Sequence, residues 1–456
     1  MQSINHIILM AQENRSFDQY FGAMKQYWSQ NGFRQQPFEG LPQFNDPPGP
    51  IPTNLGCDPT LPPPNDCTID ANSPTVEMYH LMTMCEENTS PSWNESHVIW
   101  NLTNPVSPTA MLDGFVWSAA HDARNLQKTQ TIYDTDGLRS MGYYTGDDLN
   151  YYYFLASNFA TSDAWFSPVM TRTDPNREYM IAATSQGHVY PLQNEPLLTA
   201  KTIFEALQDA GITWKIYVHP DSTGCVTAQC LYKYSYIQNF VYGQTVLNDF
   251  PQNIVSTDQF ITDATNGTLP QVAWIEPASS VGLDEHPADD DNALCCSVEA
   301  GANYVSSLIN AVMTGPSWKD SAFILTFDEF GGFYDHIAPV RTVSPDGIKP
   351  MDFKPDDVCS VVTGPTCDFT YTGYRVPLMV VSPFSQKNYV SHTTADSTAM
   401  LRFVEKRFGL DPLTARDAAQ MDMTEFFDFV NEPWKVPPAK VPTQNTAGQC
   451  YLDHLP

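Results

Sequence analysis

Two pairs of residues invite a chemical reading: Glu13-Asn14, at the end of the apolar run HIILMAQ, and Asp328-Glu329, at the end of AFILTF. Each pair stands where a buried strand should stop, and charge left unpaired in such a place is unfavourable. Three carboxylates and an amide oxygen form a hard donor set that suits a divalent cation. Taken singly, each residue could be a helix cap or a surface charge. The doublet on a strand of Phe, Ile and Leu resists that bland reading. Asn14-Arg-Ser is also formally a glycosylation sequon, so a ligand role requires Asn14 to stay unmodified.

A third candidate is Thr173, within SPVMTRTDPNREYMIAATSQGH, just before a helix-like stretch. Spacing alone allows a plain N-cap. Beside a metal the same hydroxyl becomes a nucleophile, because coordination acidifies an alcohol, and the helix start offers N–H donors to a phosphate. His286 in LDEHPADD can be read as a surface histidine among acids. His336, after Asp335 and the pair Gly331-Gly332, either hydrogen-bonds the carboxylates or closes a turn.

The elements that must position these residues follow from periodicity. Five short apolar runs, HIILMAQEN, ITWKIYVHP, QVAWIEP, AFILTFDE and VPLMVVSPFS, read as buried parallel strands. Between them lie helix patterns such as TAKTIFEALQDAG, VEAGANYVSSLINAVMTG and STAMLRFVEKRFG, with Thr at a start and Gly at ends. Alternation of this kind predicts an α/β fold, a doubly wound, mostly parallel sheet, in which ligands gather beyond the carboxyl ends of the strands. Residues 34–75 and 340–372 read as Pro- and Cys-rich surface insertions in one catalytic domain spanning 1–430, and residues 431–456 as a tail packed on it, tied by Cys450.

With 52 acidic against 23 basic residues the formal charge is −29, which disfavours nucleic acid and anionic membranes as partners. A zwitterionic lipid or a small phosphate ester remains open, since a metal makes a local site cationic. Cys57 with Cys67, Cys225 with Cys230, and Cys359 with Cys367 lie close together in loop-like stretches, without zinc-ligand spacing, and predict disulfides. Sequons at Asn88, Asn94, Asn101 and Asn266 add to an expectation of a secreted glycoprotein. The opening MQSINHIILMAQENRSF turns polar too soon for a signal peptide, so a mature form is expected. No stretch approaches the roughly 18 apolar residues of a membrane span. At most transient contact with lipid surfaces is expected.

The stretches QENRSFDQYFG, TRTDPNREY and FDEFGGFYDH, in order along the chain with MLDGF, NFATSDAWFSPV, RVPLMVVSP and LRFVEKRFG, resemble the phosphoesterase family. That family holds bacterial acid phosphatases, phosphatidylcholine-hydrolysing phospholipases C and plant non-specific phospholipases C. The resemblance implies an alkaline phosphatase-like α/β/α sandwich. It makes Thr173 the nucleophile that becomes transiently phosphorylated, and Glu13, Asn14, Asp328 and Glu329 the metal ligands. His286 becomes a proton donor or phosphate contact, and Asn176, Arg177, His97 and His336 are placed about the phosphate.

Two departures stand out. Pro91, in TSPSW, occupies a position where relatives often have His, leaving His97 as the nearest substitute, and Ser397 follows Asp396 where relatives often have Asp-His. The implied activity is phospholipase C-type cleavage, with acid phosphatase action on small monoesters as the alternative. The ion is left open among calcium, magnesium, manganese, zinc and iron. A rival of another class is a calcium-binding secreted glycoprotein using the ADDDN run, although that run lacks EF-hand spacing. Aromatic clusters such as GYYTGDDLNYYYF are read as core or as a lipid or choline pocket.

Overall fold

Alternating apolar runs and capped helices assemble, in a computed structural model describing residues 1–193, 196–289 and 296–455, into an eight-stranded sheet flanked by helices. Its strands are β1 (His6–Gln12), β2 (Ala160–Ser162), β3 (Trp214–Val218), β4 (Ile254–Ser256), β5 (Val272–Ile275), β6 (Ser321–Phe327), β7 (Leu378–Val381) and β8 (Tyr389–Ser391), in the order β8-β2-β7-β6-β1-β5-β3-β4. All seven residues of β6 are buried, as expected of a strand covered on both faces. The helices that bear on the site are α1 (Phe17–Phe21), α2 (Trp93–Trp100), α3 (Phe115–Leu126), α4 (Thr173–Ala182), α5 (Ile203–Asp209), α6 (Val298–Thr314) and α7 (Ala399–Phe408). Thr202 caps α5 by accepting from Glu205 N, and Gly409 closes α7 in the left-handed region.

All five apolar runs form strands, but one runs the other way. β7 is antiparallel to both β6 and β2, with Leu378 opposite Thr326. No helix lies between β6 and β7. A parallel return would need a crossover to the far edge of the sheet, whereas this chain re-enters from the edge at which it left. The short strands β2, β4 and β8, three residues each, carry no apolar run long enough to announce them.

Disulfides join Cys57–Cys67, Cys225–Cys230 and Cys359–Cys367, and a long-range one, Cys85–Cys450, ties down the C-terminal segment. That segment also bonds through Trp434 O, which accepts from Trp318 Nε1, and through Gln444 Nε2, which donates to Asp148 O. The Cys85–Cys450 link spans 365 positions, so it restricts the unfolded chain strongly. Replacing both cysteines by serine is expected to lower unfolding free energy by about 2–4 kcal/mol in urea titrations.

Burial and hydrogen bonding engage the crowded sequons to different degrees. Asn101 is 6% exposed and its amide donates to Thr109 O, while Asn94 lies in α2 and bonds Asp357 and Val358. Asn88 donates to Asp289, and Asn14 is buried. Asn88 and Asn94 are half-buried, whereas Asn266, at a helix end before Gly267, is exposed. Positions 290–292 of the acidic run lie outside the described residues.

Candidate active site

Strands β1 and β6 are parallel neighbours in register, Gln12 beside Phe327, so Glu13 and Asp328 leave the sheet side by side. Asp328 N donates to Gln12 O at 3.1 Å, and Asp328 Oδ1 accepts from Asn14 N at 3.0 Å and Glu329 N at 2.8 Å. Asn14 has φ 60°, a left-handed conformation that asparagine tolerates, and this turns its side chain out of line with the strand. Gly331 is also left-handed, and a Cβ there would strike the Asn14 carbonyl, so the chain can turn away behind the site only with glycine.

Thr173 is the first residue of α4, and its Oγ1 lies 3.4 Å from Asn14 Oδ1. Four residues on, Arg177 is fully buried: Nε donates to Asp328 Oδ2 at 3.2 Å, an Nη atom approaches Glu13 Oε1 at 3.4 Å, and two further bonds reach the Ala11 and Gln12 carbonyls. Tyr236 donates its hydroxyl to Glu13 Oε1 at 2.8 Å. Glu329 Oε2 accepts from Gly331 N at 2.6 Å, but its Oε1 is buried without a partner.

This cradle carries more negative charge than Arg177 neutralises. Burial, then the charge of Asp284 beside that of Asp328, pushes the Glu13 carboxyl well above the usual range, against the pull of Arg177 and Tyr236. Burial and Asp328 likewise push Glu329 up. An orphaned carboxylate oxygen among crowded acids is what a divalent cation would satisfy, so the residues present fit a metal.

Over residues 4–411 the sequence matches the phosphoesterase family. The chain belongs to that family. Phospholipase C B of Mycobacterium tuberculosis is 29% identical over 463 residues, covering 95% of this chain and 79% of that protein. Non-specific phospholipase C5 of Arabidopsis thaliana is 27% identical over 440 residues, covering 91% and 72%. Among solved structures, a protein of the alkaline phosphatase superfamily from Vibrio parahaemolyticus superposes with a TM-score of 0.36 at 11% identity, over 81% of this chain and 76% of that one. This phosphoesterase is therefore a hydrolase of phosphate esters. No helix among its described residues is long and apolar enough to cross a membrane.

Other residues singled out from the phosphoesterase sequence lie at different distances from the reaction. His286 is half-buried; its Nδ1 lies 2.7 Å from Pro287 O, which leaves Nε2 for a ligand. Glu13 N donates to Asp284 O at 3.0 Å, so the segment bearing His286 is fastened to the cradle. Asn176 is spent on the turn before Thr173, accepting from Val169 N and donating to Thr171 O and Arg172 O. Arg177, wholly buried against carboxylates, is a counter-cation with no face toward a substrate. His97 is 0% exposed and both its ring nitrogens face backbone carbonyls, of Trp93 at 2.7 Å and Thr366 at 3.0 Å. The structure thus takes Asn176, Arg177 and His97 out of direct phosphate contact, because packing has already used their polar atoms.

His336 belongs to a second cluster. Its Nδ1 lies 2.6 Å from Asp18 Oδ2, and no hydrogen bond links it to Asp328 or Glu329. Asp18, Asp335 and His336 offer ligand atoms within 4.8 Å of one another, a set a divalent cation could take. Arg375 competes for that role, donating to Asp335 at 2.8 Å and Asp18 at 3.2 Å. Burial alone would raise Asp18, yet the charges of His336 and Arg375 hold it below its usual value.

Tyr236 and Asp284 escaped sequence reasoning. Asp284 stands two residues before His286 and was within reach of the motif, whereas nothing in KYSYIQNF announces that Tyr236 meets Glu13. Beside them, Glu285 is fully buried and accepts from Tyr20, Tyr152 and Gln12. Burial, against the pull of those hydroxyls and the Gln12 amide, pushes its carboxyl from 4.5 to about 7. A carboxyl raised on folding stabilises fully below its unfolded pKa, and that contribution is lost as pH climbs through the folded value. Glu285→Gln is therefore expected to gain on the wild type, by about 2 kcal/mol between about pH 5 and 8, in thermal melts across that range.

Proposed function

We propose that this phosphoesterase cleaves glycerophospholipids as a phospholipase C does, through a phosphothreonine at Thr173. The observation that carries the reading is the Thr173 hydroxyl 3.4 Å from Asn14 Oδ1, at the rim of the carboxylate cradle. Glu13, Asn14, Asp328 and Glu329 would hold a divalent cation, which when bound supplies positive charge to polarise a phosphoryl oxygen and acidify an alcohol.

Thr173 loses its hydroxyl proton to solvent, its Oγ attacks phosphorus and the P–O bond to the glycerol breaks, the leaving oxygen taking a proton from His286 Nε2. Water then attacks the phosphothreonine, His286 receives the water's proton, and the P–O bond to Thr173 breaks, its oxygen regaining a proton from solvent to restore the hydroxyl. For phosphatidylcholine the products are diacylglycerol and phosphocholine. Arg177 holds Asp328 and Glu13 in place throughout, and the start of α4, where Thr173 sits, offers N–H donors to the developing charge. The phospholipase C names of the relatives support the lipid substrate. The disulfides support an oxidising, extracytoplasmic location, and the fold supports one catalytic domain carrying its insertions.

The test is hydrolysis of phosphatidylcholine and of para-nitrophenyl phosphate by the purified protein, with and without chelator, alongside metal analysis. Activity on the lipid that chelation removes is expected. Activity confined to the monoester would instead make the protein a phosphatase. Glu329→Gln keeps the bond from Gly331 N but removes a charge, and is expected to weaken metal binding by at least about tenfold in a competition titration.

A further inference from the structure

Arg172, immediately before Thr173, flanks α4 in extended backbone with a side chain that caps nothing. Its guanidinium is exposed and makes no hydrogen bond or ion pair with any described residue. It lies within electrostatic reach of Glu329 and Asp174 near the cradle, and of Glu95 and Asp122 on its other side. Arg177 is consumed by carboxylates, so Arg172 is the cation beside Thr173 left free to meet a ligand.

Arg172 also lines a cavity of about 420 Å³. Most polar groups in its wall are committed. Asp357 accepts from Asn94 Nδ2, Asp352 accepts from Val189 N, and Lys354 Nζ lies 4.7 Å from the Tyr190 ring centre. Glu95, in the first turn of α2, is not: its carboxylate makes no hydrogen bond to another described residue. The cavity therefore offers a cation, Arg172, next to the nucleophile, and an anion, Glu95, neither hydrogen-bonded to another described residue.

We propose that this cavity is the subsite for the headgroup that stays on phosphorus, with Arg172 holding a non-bridging phosphoryl oxygen and Glu95 a cationic amine. The enzyme would thereby select phosphodiesters whose headgroup is cationic. Arginine suits the first task because its planar fork matches phosphoryl oxygens, and a half-buried carboxylate suits the second because screening by water is reduced. The inference rests on the phosphothreonine reading for its placement beside Thr173.

The experiment compares para-nitrophenyl phosphorylcholine with methyl para-nitrophenyl phosphate, a diester of the same reacting group without the amine, and adds calorimetric binding of phosphocholine to the Thr173→Ala protein. Glu95→Gln is expected to lower the ratio of kcat/KM for the choline ester over the methyl ester by about tenfold, and to weaken phosphocholine binding similarly. Arg172→Gln is expected to lower both esters together, by about a hundredfold. Equal loss on both esters for Glu95→Gln, or full activity of Arg172→Gln, overturns the subsite. If the wild type turns over neither ester, the phosphothreonine reading falls. The binding arm then still decides: phosphocholine held less tightly by Glu95→Gln, in the same Thr173→Ala background, supports the subsite, and unchanged binding overturns it.

Discussion

Thr173→Ala is expected to lower turnover of every phosphate ester by at least about four orders of magnitude, because no other hydroxyl can take over the covalent step. The fold should barely notice. Thr173 is half-buried at the first position of α4, its hydroxyl makes only the 3.4 Å contact with Asn14, and alanine is the better helix former. Thr173→Ser should keep measurable activity, since the attacking oxygen remains. Acid quenching during turnover of a substrate labelled in its phosphoryl group should leave label on the wild type and none on the alanine variant. Retained hydrolysis by Thr173→Ala, at unchanged melting temperature, would sink the nucleophile assignment and with it the two-step mechanism.

The second large effect is on stability. Arg375 is fully buried, pairs with Asp335 and Asp18, donates to the carbonyls of Glu39 at 2.7 Å and Asp163 at 2.9 Å, and covers the Phe17 ring at 4.3 Å. Arg375→Ala leaves two buried carboxylates with only His336 for charge, and is expected to cost about 3–5 kcal/mol in urea unfolding. The same titration distinguishes the two cations that could serve Asp18, Asp335 and His336. If the guanidinium is the partner, chelation leaves wild-type stability at this cluster unchanged. If instead Arg375→Ala keeps wild-type stability and loses it on chelation, a metal ion holds the cluster together.

These two clusters show how far residue types alone could lead. Glu13 and Asp328 were legible because parallel strands deliver their C-terminal residues to one edge, and apolar runs ending in acids mark those positions in the sequence. Gly331 was legible too, since a turn so close to Asn14 O excludes any Cβ. The roles of Arg177 and His97 were not. A motif says which residues stand near a nucleophile, but not whether an arginine points at the substrate or back at strand ends, and only the seating of α4 on β1 and β6 decides that. His97 and Asn176 were already satisfied by backbone atoms from segments distant in the chain or from the turn itself.

The sequence by itself determined the family, the α/β class, the strand-end cradle and the local disulfides, because each rests on short-range pattern or on residues that cannot be exchanged without losing their chemistry. Tertiary structure alone decided the direction of β7, the burial of the Asn101 sequon, the pairing of Cys450 with Cys85 and the meeting of Tyr236 with Glu13. Those depend on which segments pack together across hundreds of residues. Packing also sets which polar atoms are used up, and so leaves Arg172, beside Thr173, and Glu95, in the wall of the same cavity, free.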